Sequence, residues 1–268
     1  MWHLTFATWT RTVLFLRPED RRSFLRALVA AVEELVLFAL VDDHLHLVVA
    51  TDDPTRIAGI VLRMLRGRCE ARIDAPRQAV VEGRSHLERL VGYLGRQPEK
   101  HGFAAGASYE GSTMVDLLGA RRLDGFDPER LWRHLPRRGE AWLFAQAGLS
   151  QLPAVDPRDV SPRKVWEAAL AAHLAEPEGR SEPTVRARAT VTRICELSST
   201  ALARQVPIAA PAIRSLRSRY DLDPASIAAT LRWLAVDRAE ADRRASPNRP
   251  PAPGFGSPPS LATATPRR

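Results

Sequence analysis

The first half of the chain alternates between β-rich runs and segments with a helical period. Residues 3–9, HLTFATW, alternate in polarity and predict a strand. The segment RPEDRRSFLRALVAAVEEL that begins at Arg17 has apolar residues at helical spacing behind a Pro-Glu-Asp start, so it predicts a helix. Two further β-rich runs, 35–41 and 44–50, are separated only by Asp42 and Asp43, a spacing typical of an antiparallel hairpin.

Three more elements complete this pattern. Residues 53–69 predict a second helix, and a short edge strand is expected around Gln78–Val81. The run SHLERLVGYLGRQPEKHGF predicts a third helix that begins at Ser85 and is ended by Pro98. The order β-α-β-β-α-β-α predicts an α+β fold, namely a ferredoxin-like antiparallel sheet with helices on one face, followed by an α-helical C-terminal region.

Changes in composition divide the rest of the chain. Short capped helices and loops begin after about residue 104, and AEPEGRSEP is a hydrophilic break that indicates a linker. The last stretch is rich in Pro, Ser and Gly, which predicts disorder. The predicted organisation is a first domain over 1–110, a helical extension over 111–174, a linker over 175–183, a compact helical unit over 184–243 and a disordered tail over 244–268.

Residues 198–220, SSTALARQVPIAAPAIRSLRSRY, have the spacing of a helix-turn-helix. Ser198 or Ser199 is expected to cap the first helix and Pro211 to open the second. The second helix could then present four polar side chains to a DNA groove, namely Arg214, Ser215, Arg217 and Ser218. The alternative is a small helical domain whose arginines form a solvated face.

The net charge of +8 suits a polyanionic partner. Nearly all the positive charge is arginine, since Lys100 and Lys164 are the only lysines, and guanidinium groups pair with phosphates and stack on bases. The alternative is a coding bias that enriches arginine, alanine and proline without any functional reason.

The remaining composition favours an ordinary cytoplasmic protein. No apolar run reaches the roughly 20 residues that cross a bilayer, and the N-terminus lacks the pattern of a signal peptide. Cys69 and Cys195 lie far apart without metal-binding spacing, so we expect both to be reduced. We therefore expect no association with a membrane.

The candidate chemistry begins at His44 and His46, which share one face of a predicted strand and can converge on one cation. Two structural histidines on a half-buried strand are the alternative. Tyr93 and Gln97 are four residues apart on a predicted helix, so both project from one face. Gln97 could add an oxygen ligand and Tyr93 could direct its phenol at a phosphate, although Tyr93 could equally be an ordinary aromatic of an amphipathic helix.

Four motifs in order, HLTFATW, RPEDRRSFLRAL, DDHLHLVV and LVGYLGRQPEKHGF, resemble the catalytic domain of HUH-type single-tyrosine transposases, particularly the REP-associated tyrosine transposase branch. The similarity spans about residues 1–105. It implies that His44, His46 and Gln97 bind Mg²⁺ or Mn²⁺ and that Tyr93 is the nucleophile. It also implies cleavage and joining of single-stranded or hairpin DNA through a 5′-phosphotyrosine, carried out by a homodimer.

The chain departs from that family's pattern at three places. Asp42 stands where a proline is common, Gln97-Pro98 replaces Asn-Pro, and Gly111-Ser112-Thr113 replaces a Trp-Ser-Ser segment. These departures leave a second hypothesis open: a domesticated DNA-binding protein or repressor that keeps the fold without turnover. A basic ferredoxin-like protein with no role on nucleic acids is the third.

Overall fold

The computed structural model describes residues 1–103 and 106–246. The first part contains β1 Trp2–Ala7, α1 Pro18–Ala31, β2 Leu35–Leu40, β3 His44–Val49, α2 Pro54–Arg66, β4 Arg77–Val80, α3 Gly83–Gly95 and α4 Gln97–Lys100. The second part contains α5 Met114–Leu117, α6 Glu129–His134, α7 Glu140–Gln146, α8 Pro162–Ala172, α9 Glu182–Ile194, α10 Ser199–Ala203, α11 Ala210–Arg219 and α12 Pro224–Ala245.

The four strands form one antiparallel sheet in the order β2-β3-β1-β4. The elements along the chain, β1-α1-β2-β3-α2-β4, have the ferredoxin-like order, and the C-terminal half is helical. The predicted α+β fold class is therefore confirmed. Each predicted strand and both crossover helices occur within a few residues of their expected bounds, and Asp53 caps α2 by accepting the Arg56 N–H at 2.9 Å.

Helices cover both faces of the sheet, whereas the sequence predicted one helical layer. Alternate residues of β3, Leu45, Leu47 and Val49, pack in a cluster with α1 and α2. Val48 packs on the other face with α3 and the C-terminal helices. The predicted layer corresponds to α1 and α2, and a second layer is added because the C-terminal region folds back onto the sheet. His44 and His46 share the face of Val48 and are buried.

Helix α3 ends earlier than predicted, and this corrects the continuous helix from Ser85 to Pro98. The helix begins at Gly83 and ends at Gly95, and Arg96 has the non-helical angles φ −100° and ψ 0°. Pro98 has no N–H to donate to the carbonyl of Leu94, and its ring would clash with that carbonyl, so the chain starts a new helix, α4. Tyr93 and Gln97 consequently belong to different helices.

The C-terminal helices pack against each other and against the loop that follows α4. Helices α8, α9 and α12 share one hydrophobic cluster, so the segment 175–183, predicted as a linker, connects two helices in mutual contact. The buried Glu240 of α12 accepts the Ala107 N–H at 2.8 Å. Gly106 lies directly against that carboxylate with φ +50°, where a side chain would collide with it. The predicted disordered tail was 244–268, but residues 244 and 245 still belong to α12, and the residues from 247 onward lie outside the described part of the chain.

His173 is expected to make the protein less stable as pH falls below 6.5. Burial, followed by repulsion from Arg186, lowers the pKa of this side chain from 6.5 to about 4. Between those values the unfolded chain binds the proton and the folded chain does not, so His173 should remove roughly 3 kcal/mol of stability as pH falls from 6.5 to 4. Chemical denaturation should show a shallower pH profile for His173→Leu. The same change at the exposed His134 is the control, and parallel profiles for His173→Leu and wild type would contradict this assignment.

Candidate metal and nucleophile site

Two adjacent strands bring three histidines together on one face of the sheet. His46 on β3 pairs with Thr5 on β1, and the alternation of β1 places His3 on the same face. The ring centroids of His44 and His46 are 4.6 Å apart, and those of His3 and His46 are 5.1 Å apart. The predicted convergence of His44 and His46 is therefore present, and His3 joins them.

The hydrogen bonds of His46 leave one ring nitrogen without a partner. Its Nδ1 lies 3.1 Å from Nε2 of His3 and 3.2 Å from Oγ1 of Thr5, while its Nε2 is buried and has no hydrogen-bond partner. If Nδ1–H donates to either acceptor, Nε2 carries a lone pair. A buried acceptor without a donor is costly, and a cation would satisfy it.

Asp43 orients the other histidine of the pair. Its Oδ1 lies 2.6 Å from Nδ1 of His44, and its Oδ2 accepts from Nη1 of Arg11 at 3.0 Å. Burial raises the pKa of Asp43, but the hydrogen bonds from His44 and Arg11 outweigh it, so the pKa is lowered and the carboxylate stays charged. A carboxylate that accepts Nδ1–H leaves Nε2 of His44 for a ligand, an arrangement common among metal-binding histidines.

Both histidines are held in their neutral form, which is the form that binds metals. Burial, reinforced by repulsion from His3 and His44, lowers the pKa of His46 well below 6.5. Burial also lowers the pKa of His44, although Asp43 opposes the shift. Protonation therefore does not compete with a cation for these two rings near neutral pH.

Tyr93 lies directly beside this pair. Its ring centroid is 5.6 Å from that of His46, with the two planes at 74°. The ammonium of Lys100 on α4 lies 4.5 Å from the centre of the Tyr93 ring and adds a positive charge. The packing of α3 over the histidine face brings Tyr93 to the site, so the predicted pairing of tyrosine and histidines exists even though the predicted helix is shorter.

The chain at the end of α4 brings one further side chain to the site, that of His101. His101, the residue after α4, lies with its ring centroid 4.9 Å from that of His44, and its ligand atom falls within 4.8 Å of those of Asp43 and His44. The N–H of His101 donates to the carbonyl of Gln97 at 3.1 Å, and Gln97 is 2% exposed. Asp43, His44 and His101 therefore form one possible set of ligands. Gln97 is buried, and its part as a ligand of His44 and His46 stays a prediction.

No family model, curated protein or solved structure compared with this chain matches it. A function therefore has to follow from the residues of the chain and their geometry. Within 1–103 and 106–246, no helix is both long and apolar enough to cross a membrane.

His3, Asp43 and His101 belong to the site but were not predicted from the sequence. The alternation of β1 could have placed His3 beside His46, and the adjacency of Asp43 to His44 was visible in the sequence. His101 could have been suspected from its position four residues after Gln97. What no pattern revealed was the turn that returns His101 to His44, because that turn depends on the break after Gly95.

The segment Gly111-Ser112-Thr113, which replaces the family's Trp-Ser-Ser, pairs with β2 at the edge of the sheet. Oγ1 of Thr113 accepts the N–H of Phe38 at 2.8 Å and donates to its carbonyl at 2.7 Å. Ser112 forms a β-bridge with Ala39. The segment therefore extends the sheet beyond β2 through a hydroxyl and a bridge.

The predicted helix-turn-helix residues form two packed helices, α10 and α11. Ser198 caps α10 by accepting the Ala201 N–H at 3.2 Å, as expected. Of the four predicted DNA contacts, three are exposed: Arg214, Ser215 and Ser218. Arg217 instead donates to three backbone carbonyls, those of Thr192, Cys195 and Leu197. The structure thus gives Arg217 a role in fixing the end of α9.

Proposed function

We propose that this protein cleaves and rejoins single-stranded or hairpin DNA by a metal-dependent transesterification in which Tyr93 forms a 5′-phosphotyrosine. The observation that supports this most strongly is the packing of the Tyr93 ring against the ring of His46, whose buried Nε2 has no hydrogen-bond partner. A tyrosine next to metal-binding nitrogens is the arrangement that such chemistry needs. The motif resemblance in the first hundred residues points the same way.

The residues that would hold a divalent cation are His44 and His46, completed by Gln97 or by Asp43 and His101. The mixture of imidazole and oxygen donors suits Mn²⁺, and Mg²⁺ is accepted by the oxygen donors. When bound, the cation supplies Lewis-acid stabilisation of the charge on the phosphodiester oxygens.

The proposed reaction conserves the number of phosphoester bonds. The Tyr93 oxygen forms a bond to phosphorus, the bond from phosphorus to the 3′-oxygen breaks, and the released 3′-oxygen gains a proton as the phenol loses one. Attack by another 3′-hydroxyl reverses these changes, so rejoining needs no nucleotide cofactor. Lys100 places a positive charge beside the tyrosine, where an anionic strand would be attracted.

Each chain provides one nucleophile, so a reaction on two strands calls for two copies, and we expect a homodimer. The exposed residues Arg214, Ser215 and Ser218 on α11 are proposed to contact DNA outside the site.

The test is formation of a covalent adduct. Protein is incubated with labelled single-stranded and hairpin DNA in Mn²⁺, in Mg²⁺ and in chelator, and the products are separated under denaturing conditions. A denaturation-resistant adduct that requires the metal is expected. Binding without any adduct would overturn the proposed reaction and favour the DNA-binding or repressor alternative. No binding even at low salt, where phosphate contacts are strongest, would exclude both.

Asp43→Asn is expected to weaken Mn²⁺ binding by roughly 10- to 100-fold, because the variant loses the charge that holds His44. Isothermal titration with Mn²⁺ measures this without DNA. Asp42→Asn removes the same charge one residue away and is the matched control. Equal affinities for Asp43→Asn and Asp42→Asn would show that Asp43 does not support the metal.

A further inference from the structure

A second surface of the chain has unpaired basic groups. The segment 63–77 contains five exposed arginines and two carboxylates, those of Glu70 and Asp74; the arginines are Arg63, Arg66, Arg68, Arg72 and Arg77. In the described part of the chain sixteen other arginines pair with acidic groups and none of these five does. These five guanidinium groups can therefore take an external anion without breaking an internal ion pair.

An exposed tryptophan lies in the same surface. The Trp9 side chain is 61% exposed, and the guanidinium of Arg72 lies 4.6 Å from the centre of its ring. The backbone N–H of Trp9 donates to the backbone carbonyl of Arg72 at 2.9 Å, and this bond fixes the two residues relative to each other. Both line a groove of about 680 Å³ together with Arg66 of α2, Leu62 and Ile73. Glu70 and Asp74 also line this groove, so its charge is mixed, and Trp9 is the aromatic residue among its lining side chains.

We propose that this groove binds a nucleotide of single-stranded DNA, with a base stacked on Trp9 and the flanking phosphates bound by Arg66 and Arg72. An exposed aromatic ring in a groove with two guanidinium groups that have no ion-pair partner is complementary to a chain that alternates π-faces and phosphates. A duplex does not fit this role, because its base faces are stacked on one another. The choice of DNA over RNA rests on the proposed function, whereas the stacking of a single strand does not.

The groove lies on the α2 side of the sheet, at the same end of the sheet as the metal and nucleophile site. Trp9 comes two residues after Ala7, so the backbones of these two residues are at most about 7 Å apart. Ala7 is in turn the β-sheet partner of His44. Between Ala7 and Trp9, the Thr8 N–H donates to the Asp43 carbonyl at 3.0 Å, and Arg11 pairs with the Asp43 carboxylate. A strand with a base on Trp9 therefore lies at the same end of the sheet as His44.

The test measures binding apart from cleavage. A labelled oligothymidine of about 15 nucleotides is titrated, by fluorescence anisotropy, with Tyr93→Phe protein in chelator, so that no adduct can form. Adding Trp9→Ala should weaken binding roughly ten-fold, and Trp9→Phe should restore most of it. Adding Arg66→Ala and Arg72→Ala together should lower the slope of log affinity against log salt by about 1.4, at about 0.7 for each lost phosphate contact.

The matched control removes two exposed arginines elsewhere, Arg158→Ala with Arg163→Ala, and should leave both the affinity and the slope near those of the parent. An affinity in Trp9→Ala equal to the parent, or a slope in the Arg66/Arg72 variant equal to the control, would overturn the inference. Tighter binding to duplex than to the single strand would overturn it as well, and RNA bound more tightly than DNA would overturn the choice of DNA. Because Tyr93 is absent throughout, failure of the cleavage reaction leaves these outcomes unchanged.

Discussion

Tyr93→Phe should lower the yield of covalent protein–DNA adduct by roughly 10³-fold or more, which places it at background. The substitution deletes one hydroxyl and keeps the ring that packs on His46 and under Lys100. Folding and DNA affinity should therefore stay close to wild type. Denaturing electrophoresis of labelled DNA measures the adduct, and anisotropy measures the binding.

Tyr109→Phe is the matched control for that experiment. Tyr109, like Tyr93, lies next to a basic group, with Arg21 5.4 Å from its ring. It is buried and lies on the loop before α5. Burial raises the pKa of Tyr109 to about 12, which makes it a poor nucleophile near neutral pH. An adduct that survives Tyr93→Phe and disappears in Tyr109→Phe would show that Tyr109 is the nucleophile and would refute the proposed site.

Replacing His44 and His46 together by alanine should abolish both the adduct and specific Mn²⁺ binding. The pair contributes the nitrogens common to the proposed ligands, and loss of two ligands should weaken the metal by at least 100-fold. At Mn²⁺ concentrations near 100 times the dissociation constant, the metal should stabilise wild type by about 2.7 kcal/mol and the double variant hardly at all. Denaturant unfolding with and without Mn²⁺ measures the difference.

Both histidines are buried, so their removal also leaves a cavity that lowers stability in the absence of metal. The quantity to compare is therefore the stability gained on adding Mn²⁺. The loss from the cavity is present with and without the metal, so it cancels in this difference. His134→Ala, an exposed histidine on α6, is the control and should gain as much as wild type. A double variant that gained as much stability from Mn²⁺ as His134→Ala would show that His44 and His46 do not bind the metal. Comparing Gln97→Ala with His101→Ala in the same assay identifies the completing ligand.

The sheet and its histidine pair could be predicted because both depend on short-range patterns. The two β-rich runs around Asp42 and Asp43 predict a hairpin, and the alternation along a strand places His44 and His46 on one face without further information. The order of strands and helices then determines the ferredoxin-like sheet. These features were confirmed because each follows from residues close together in the chain.

The rest of the site depends on contacts between distant segments. His101 reaches His44 only because the helix breaks after Gly95, and a period of 3.6 residues carried through Pro98 predicts a different position for Gln97. Arg217 illustrates the same difficulty. Its spacing suits a recognition helix, but its partners are carbonyls at the end of α9, which the sequence does not place nearby.

The most direct test of the central claim is to identify the tyrosine that carries DNA. The chain has three tyrosines, and cleavage after arginine and lysine puts each in a separate peptide: 90–96 for Tyr93, 101–121 for Tyr109 and 220–232 for Tyr220. Adduct formed with Mn²⁺ is digested with trypsin and nuclease and analysed by mass spectrometry. A nucleotide on peptide 90–96, absent in chelator, is the predicted result. A nucleotide on either other peptide, or no modified peptide when bound DNA is present, would contradict it.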